Sequence, residues 1–223
     1  MKKKLLFQAL IKFSLGLLLL GLLLFLPAGT IRYPGAWRLF ALLFIPMFLF
    51  GIVLFFKAPD LLKKRLNDKE SSGVQKTVIL LSALEFLACF ILAGFDFRFG
   101  WSHFPTWLIL AASVLFLGCY GLYIEVMREN AYLSRTVEIQ EGQQVVSTGL
   151  YGIVRHPMYF SVVFLFWSMP LVLGSLPAFL VMLPFPLLLV QRIRDEEKLL
   201  EDGLPGYKEY EQKVRYRLIP FIW

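Results

Sequence analysis

Apolar residues dominate four long stretches of the chain, and short polar segments separate these stretches. They cover residues 5–26, 36–56, 77–95 and 105–126. A transmembrane helix needs about 20 mostly apolar residues, because a rise of about 1.5 Å per residue must cover about 30 Å of hydrocarbon. The pattern therefore predicts four transmembrane helices. Lysines before the first stretch also resemble the start of a signal peptide, but that stretch is long and no small-residue cleavage site follows it.

A fifth apolar block, residues 158–190, has a different pattern. Proline and glycine in its middle end a helix and turn the chain. The block therefore predicts a helical hairpin with arms of about 15 residues, which either crosses the membrane or re-enters it. Pro184 and Pro186 should kink the second arm. Four residues mark the turn: Pro170, Gly174, Ser175 and Pro177.

Composition supports a membrane protein. The chain of 223 residues is 58% hydrophobic and 17% charged, whereas soluble domains have about 45–50% apolar and about 25% charged residues. Two cysteines and two histidines exclude a disulfide scaffold and a histidine-rich metal site. We expect an all-α integral membrane protein, with residues 1–126 as a scaffold and residues 127–223 as the working part.

The positive charges predict the orientation in the membrane. Of 23 lysines and arginines, all but Arg32, Arg38 and Arg98 fall in the N-terminal segment, the loop before the third span, or the two polar segments of the C-terminal half. The positive-inside rule then places both termini in the cytosol. The net charge of +7 reflects topology and anionic lipids rather than nucleic acid. The loop before the third span carries Lys57, Lys63, Lys64, Arg65, Lys69 and Lys76.

Side chains that could bind a ligand or take part in catalysis are concentrated in two polar runs, residues 140–159 and 191–200. Because the hairpin joins the runs, both emerge at the same membrane face, and we expect them to form one pocket. Arg192 and Glu196 are four residues apart and share one helix face. Taken alone, the runs also fit interfacial polar residues and an ordinary solvated helix. Glu85 in the third span is a weaker candidate, since ionisable residues inside a membrane are costly and often functional.

The ordered motifs of the two runs and the tail resemble the isoprenylcysteine carboxyl methyltransferase family and the related bacterial phospholipid methyltransferases. The resemblance covers roughly residues 128–223. Its motifs are Val146-Ser-Thr-Gly-Leu-Tyr151, Arg155-His-Pro-Met-Tyr159, Arg192-x-x-x-Glu196-Glu197 and Arg217-Leu-Ile-Pro220.

This resemblance implies methyl transfer from S-adenosylmethionine at the cytosolic face, where a polar cap follows the helices and binds the cofactor. The acceptor would be a hydrophobic or prenylated small molecule among the membrane lipids, with a carboxylate favoured; no metal and no nucleic acid are expected. Arg192 would orient the acceptor. The tail, residues 205–223, would form a short amphipathic helix that closes over the cofactor. The implied cofactor-binding residues are Gln140, Val145, Val146, Tyr151, His156, Tyr159 and Glu196.

Three alternatives stay open. The acceptor could be the amine of a phospholipid. The Arg155–Tyr159 motif also resembles a motif of NADPH-dependent sterol reductases, so the cofactor could be NADPH. The chain could also be a membrane protein without catalysis. The helix with Arg192, Glu196 and Glu197 favours the methyl donor.

Overall fold

The computed structural model describes residues 2–67, 70 and 72–223, and these residues form nine α-helices and one short 3₁₀ turn, without a strand. The helices pack into a bundle around α6, and a polar cap lies at one end. The 3₁₀ turn is Gly149–Gly152. The helices are α1 (Lys2–Ala28), α2 (Pro34–Lys57), α3 (Pro59–Leu66), α4 (Gly73–Phe99), α5 (Thr106–Glu129), α6 (Pro157–Leu173), α7 (Leu176–Met182), α8 (Phe185–Gly203) and α9 (Tyr207–Lys213).

The four predicted spans are confirmed as α1, α2, α4 and α5, each of which extends a few residues beyond the apolar stretch. With the α7–α8 arm they are long and apolar enough to cross a membrane. The protein is therefore a multi-pass, all-α integral membrane protein. This setting explains why large side chains such as Leu19 and Leu26 are exposed on α1, because they face lipid rather than water.

The loop between the second and third spans contains a helix that we did not predict. Within it, α3 buries Leu61 and Leu62 against Leu54 of α2 and Met127 of α5. This small cluster fixes α3 against the end of the bundle. Lys69, which we counted in the same loop, lies outside the described residues.

The predicted hairpin is confirmed, and it crosses the bundle from end to end. α6 ends at Leu173, and the chain reverses at Gly174 and Ser175. The second arm breaks between α7 and α8, next to Pro184, as its prolines predicted. At the turn, Leu173 accepts a hydrogen bond from the Tyr33 hydroxyl (2.9 Å), and the Leu176 amide donates to Ser102 (3.0 Å). The turn thus meets the loops at the far end of the bundle.

We call the end of the bundle with the polar cap the site face. The N-terminus of α1, the C-termini of α2 and α5, the N-terminus of α4, and the segment 130–156 all lie there. Contacts between these elements define the face: Lys12 donates to the Leu66 carbonyl (2.7 Å), and Arg65 donates to the Ser134 carbonyl (3.1 Å). Arg32 and Arg98 lie at the opposite end.

The packing of α1 against α4 depends on Gly94. A Cβ atom there would lie 2.7 Å from the Leu24 carbonyl oxygen, so the helices can approach this closely only because the side chain is absent. Gly94→Ala is expected to lower the free energy of unfolding by about 1–3 kcal/mol, measured as a lower Tm in detergent. Gly118→Ala is the control, since a Cβ at Gly118 meets nothing within 4 Å. Equal Tm values for the two variants would contradict this account of the packing.

Candidate active site

A polar cavity of about 840 Å³, counted with its open mouth, lies at the site face. The segment 130–156, the start of α6, the last turns of α8, and α9 enclose it. Both predicted polar runs meet here. Seven of the eight site residues named from the sequence line the cavity: Val145, Val146, Tyr151, His156, Tyr159, Arg192 and Glu196.

The 3₁₀ turn brings Tyr151 into the cavity wall. Gly149 has a φ of +56° and lies against the carboxylate of Glu129, so another side chain would strain the backbone and displace that carboxylate. The same carboxylate accepts a hydrogen bond from the Leu150 amide (3.0 Å). The Tyr151 hydroxyl accepts from the Asn130 side chain (3.0 Å). Glu129 thus holds the turn that orients Tyr151.

Tyr159 bridges Arg192 and Glu196, which lie on one face of α8. Its hydroxyl donates to Glu196 Oε2 (2.5 Å) and accepts from Arg192 Nε (2.9 Å). The Arg192 guanidinium also lies 5.9 Å from the centre of the Tyr159 ring. The one-turn spacing of Arg192 and Glu196 puts them on one face, and a residue of α6 bridges them.

Two further contacts fix the Arg192 guanidinium. Nη1 donates to Gln75 Oε1 (2.8 Å), and Nη2 donates to the Arg135 carbonyl (2.8 Å). Gln75 is fully buried in α4, and its amide nitrogen donates to Asp195 (2.7 Å). Three of the five guanidinium N–H donors are engaged in this way. Arg192 therefore has a fixed orientation.

Gln75 is a site residue that the sequence analysis missed, because a glutamine near the start of an apolar helix carries no motif. The proposed division into a scaffold (1–126) and a working part (127–223) stays a prediction. Gln75, however, shows that the scaffold region contributes a side chain to the site.

Glu197 is the other residue whose position was missed. It is 2% exposed and lies beneath the cavity, among three basic side chains. Its Oε1 is 2.7 Å from Arg155 Nε and 3.2 Å from His156 Nε2, and its Oε2 is 2.5 Å from Arg217 Nε. The neighbouring pair of glutamates in the α8 motif was a usable signal, since consecutive helix residues point in different directions.

The C-terminal tail closes this part of the site through its backbone. The Arg155 amide donates to the Tyr216 carbonyl (2.9 Å), and the His156 amide donates to the Arg217 carbonyl (2.8 Å). We predicted a short helix in the tail, residues 205–223, and the helix found there spans Tyr207–Lys213. The following residues are held by these hydrogen bonds instead of continuing the helix.

Gln140 is the predicted site residue that does not line the cavity. Its side-chain amide donates to the Tyr132 carbonyl (2.6 Å), and its backbone amide donates to the Gln143 side chain (2.9 Å). Its Oε1 atom is buried without a hydrogen-bond partner among the described residues. The cofactor role predicted for Gln140 stays a prediction. Glu85 likewise does not line the cavity.

Three tyrosines outside the membrane helices are donors rather than bases. Burial raises the pKa of Tyr151, Tyr207 and Tyr210 above the ordinary range of a phenol. Their hydroxyls therefore stay protonated at neutral pH. Within residues 2–67, 70 and 72–223, no group of three histidine, cysteine or acidic side chains is arranged to hold a metal ion.

Comparison with known proteins identifies two related groups. Residues 107–202 match the model of the isoprenylcysteine carboxyl methyltransferase (ICMT) family, which confirms the resemblance over residues 128–202. The chain is also 36% identical, over 91 residues, to the Delta(14)-sterol reductase TM7SF2 of Mus musculus, and 26% identical, over 134 residues, to a Delta(14)-sterol reductase of Methylotuvimicrobium alcaliphilum. These alignments cover 40% and 53% of this chain, but 22% and 31% of the two relatives.

Proposed function

We propose that this protein transfers a methyl group from S-adenosylmethionine to a lipid-like acceptor at the cytosolic face of the membrane. One observation carries the proposal: the two motif runs line one cavity. Tyr159 and Glu196, for example, lie 37 positions apart in the sequence and form a hydrogen bond there. The match to the ICMT family over residues 107–202 supports the same reaction class.

The charges of the cavity fit this cofactor. S-adenosylmethionine carries a sulfonium and an ammonium group, and the carboxylates of Glu138 and Glu196 lie in the cavity wall. Arg155 also lines the cavity, but Glu197 and Glu211 neutralise it (2.7 and 3.1 Å). Aromatic rings such as Tyr151 can in addition stabilise a cation. The residues present are therefore suited to a cationic cofactor.

S-adenosylmethionine supplies an electrophilic methyl group that a nucleophile takes up by in-line displacement. The residues of this chain contribute orientation, and in well-aligned cases orientation lowers a barrier by up to about 7–11 kcal/mol. Arg192 would hold an acceptor carboxylate through its remaining N–H groups. A carboxylate is already ionised at pH 7, so this reaction needs no base.

An amine acceptor would have to lose a proton first. Glu197 already contacts three basic groups. The three tyrosines whose pKa is raised, Tyr151, Tyr207 and Tyr210, do not ionise at neutral pH. Glu196 is then the remaining carboxylate next to Arg192 that could accept this proton. The geometry favours a carboxylate acceptor over an amine.

The cytosolic orientation is part of the proposal. Most lysines and arginines lie in segments at the site face, and the positive-inside rule assigns that face to the cytosol. An even number of crossings, with the hairpin spanning, places both termini on the same side. Tagging either terminus and testing protease access in sealed vesicles would check this orientation.

Glu196→Ala is expected to weaken binding of S-adenosylhomocysteine about tenfold, which corresponds to about 1.4 kcal/mol. The reason is the loss of the carboxylate that would face the ammonium group, which is the cation that S-adenosylhomocysteine retains. Isothermal titration calorimetry on detergent-purified protein measures this change. Asp202→Ala is the control, because it removes an exposed acidic side chain of the same helix outside the cavity lining. Unchanged affinity in Glu196→Ala would remove this residue from the cofactor site.

An NADPH-dependent reduction is the second candidate, favoured by the similarity to the two Delta(14)-sterol reductases. NADPH carries several negative phosphate charges, which would need unpaired cations. The cavity offers Glu138 and Glu196 together with two arginines: Arg155 pairs with Glu197 and Glu211, and Glu196 and Glu70 interact electrostatically with Arg192. This charge balance favours the methyl donor.

Thermal-shift measurements with S-adenosylhomocysteine and with NADPH separate the two candidates. Stabilisation by S-adenosylhomocysteine alone supports methyl transfer, and stabilisation by NADPH alone overturns it in favour of the reductase. A labelled-methyl assay against membrane extracts, followed by mass identification of the product, would then identify the acceptor.

A further inference from the structure

Asp195 follows Arg192 by three positions in α8, so the two side chains are neighbours on the helix surface, where opposite charges can pair directly. In this protein a third side chain lies between them. Gln75 of α4 accepts a hydrogen bond from Arg192 Nη1 (2.8 Å) and donates one to Asp195 Oδ2 (2.7 Å). Gln75 therefore separates the Arg192 guanidinium from the Asp195 carboxylate.

The Gln75 amide fits its two neighbours in one orientation. Its nitrogen is a donor and its oxygen is an acceptor, so a reversed amide would place donors against the Arg192 guanidinium and an oxygen against the Asp195 carboxylate. The nitrogen also donates to the backbone carbonyl of Arg192 (3.3 Å). Ser72 donates to the same oxygen of Asp195 (3.1 Å). Asp195 thus fixes the amide so that its oxygen faces Arg192.

The backbone of α4 fixes the position of Gln75. Ser72 is the N-cap of this helix, and its hydroxyl accepts a hydrogen bond from the Gln75 backbone amide (3.4 Å). The Gln75 side chain is fully buried, and a buried amide that lost its partners would be costly. Gln75 is therefore held both by its own helix and by the two charged residues of α8.

The groups that accept hydrogen bonds from the Arg192 guanidinium are neutral oxygens. Besides the glutamine amide, they are the Tyr159 hydroxyl (2.9 Å) and the Arg135 carbonyl (2.8 Å). Glu196 and Glu70 act on the guanidinium electrostatically. A carboxylate that entered the cavity would thus meet a guanidinium whose hydrogen-bond partners carry no charge.

We propose that Gln75 and Asp195 are positioning residues for Arg192: Asp195 holds the Gln75 amide, and Gln75 prevents Arg192 from pairing with Asp195. The inference rests on the proposed function and deepens it, because a guanidinium that is not paired with Asp195 can bind the carboxylate of an acceptor. Neither positioning residue touches the reacting atoms. Without Gln75, Asp195 would pair with Arg192 and compete with the acceptor.

Chemical labelling of Arg192 tests the separation without any turnover. Phenylglyoxal attacks the uncharged form of a guanidine, and a contacting carboxylate slows this attack because it favours the charged form. The wild type, Gln75→Met, Asp195→Asn and the double variant are labelled in phosphatidylcholine nanodiscs, and the labelled peptides are quantified by mass spectrometry. Exposed Arg194 in the same helix is the internal reference.

The four labelling rates form a double-mutant cycle. Methionine has nearly the length of glutamine but no amide, and asparagine removes the charge of Asp195 while it keeps an oxygen for Gln75. We expect Asp195→Asn to change the Arg192 rate by less than about twofold when Gln75 is present, and to raise it about tenfold in Gln75→Met, the ratio of one charged contact. An equal effect of Asp195→Asn in both backgrounds overturns the proposal.

Methyl transfer to membrane extract tests the positioning role. In Gln75→Met we expect the extract concentration at half-maximal rate to rise about tenfold, with a smaller fall in kcat, because the acceptor must displace Asp195. Adding Asp195→Asn should restore most of this loss. A purely structural role predicts no such rescue, since a second substitution would only add damage. A double variant no more active than Gln75→Met overturns the proposal.

Two controls keep the result clear. Gln8→Met makes the same change at an exposed position of α1 and should keep the labelling and kinetics of the wild type. The Tm in detergent is measured for each variant. If Gln75→Met does not fold, Asp195→Asn alone decides: an Arg192 rate close to that of the wild type supports the separation, and a rate about tenfold higher overturns it.

The labelling and the methyl-transfer assay distinguish the two levels of inference. If the wild type transfers methyl groups and the labelling cycle shows no coupling, the positioning assignment is wrong and the proposed function stands. If the labelling cycle shows the expected coupling and the wild type neither binds S-adenosylhomocysteine nor transfers methyl groups, the proposed function fails, while the separation of Arg192 from Asp195 by Gln75 stands.

Discussion

Glu197→Ala is expected to cause the largest loss of stability of any single change in the cap. Glu197 is 2% exposed and neutralises the buried guanidinium of Arg155 at 2.7 Å. Removing one partner of a buried ion pair costs about 3–5 kcal/mol, because the other charge stays buried without compensation. Glu211 remains 3.1 Å from Arg155 and should offset part of this cost. We therefore expect a substantially lower Tm in detergent and no detectable binding of S-adenosylhomocysteine.

Two comparisons show whether the buried pair is the cause. Arg217→Ala removes a partner of Glu197 whose side chain is 35% exposed, and an exposed charge contributes about 1 kcal/mol or less. Its Tm should fall much less than that of Glu197→Ala. Asp202→Ala, an exposed acidic position in the same helix, should keep the Tm of the wild type. If Glu197→Ala kept a wild-type Tm, the cluster would not hold the cap together.

Arg192→Lys is expected to produce the largest loss of activity. Lysine keeps the charge but cannot reproduce the planar guanidinium, which contacts Tyr159, Gln75 and the Arg135 carbonyl together (2.9, 2.8 and 2.8 Å). Losing one fixed donor at a reacting group typically lowers turnover about 10²–10³-fold. The labelled-methyl assay should therefore show a lower kcat, while affinity for S-adenosylhomocysteine stays within about twofold, since Arg192 is assigned to the acceptor.

Arg194→Lys is the matched control, because Arg194 is exposed on the same helix and does not line the cavity. Its turnover should equal that of the wild type. A lower cofactor affinity in Arg192→Lys, without a change in kcat, would move this residue from the acceptor site to the cofactor site. Full activity in Arg192→Lys would exclude it from either role.

The membrane helices were predictable because the thickness of the bilayer sets the length of apolar sequence that a spanning helix needs. A run of about 20 apolar residues has few stable alternatives to a spanning helix, so α1, α2, α4 and α5 matched the four apolar stretches. The reversal at Gly174 and Ser175 was predictable for a local reason, since glycine and proline interrupt a helix wherever they cluster. α3 was not predictable in this way, because the burial of Leu61 and Leu62 depends on α2 and α5.

The site was predictable only in part. Motif order indicated His156, Tyr159 and Arg192, and the cavity contains all three. Their functional roles stay predictions until the binding and activity measurements are made. The role of Gln75 was not accessible from the sequence, because its partners Arg192 and Asp195 lie far away along the chain, whereas the neighbouring glutamates of α8 did indicate that Glu197 points away from Glu196.

The sequence by itself determined the four long membrane helices, where the hairpin turns, and that the two polar runs return to one face. These properties follow from hydrophobic length and local turn residues. The motif resemblance indicated Glu196 as the glutamate of the site, and only the tertiary structure showed that Glu197 is buried beneath the cavity against basic side chains. Glu196 meets Tyr159 (2.5 Å) and Glu197 meets Arg155 (2.7 Å), because the rotation of α8 about its own axis is set by packing against α6, α4 and the tail. Adjacent residues of one helix point in directions about 100° apart around its axis. The rotation of α8 therefore places one carboxylate in the cavity and the other in the buried ion-pair cluster.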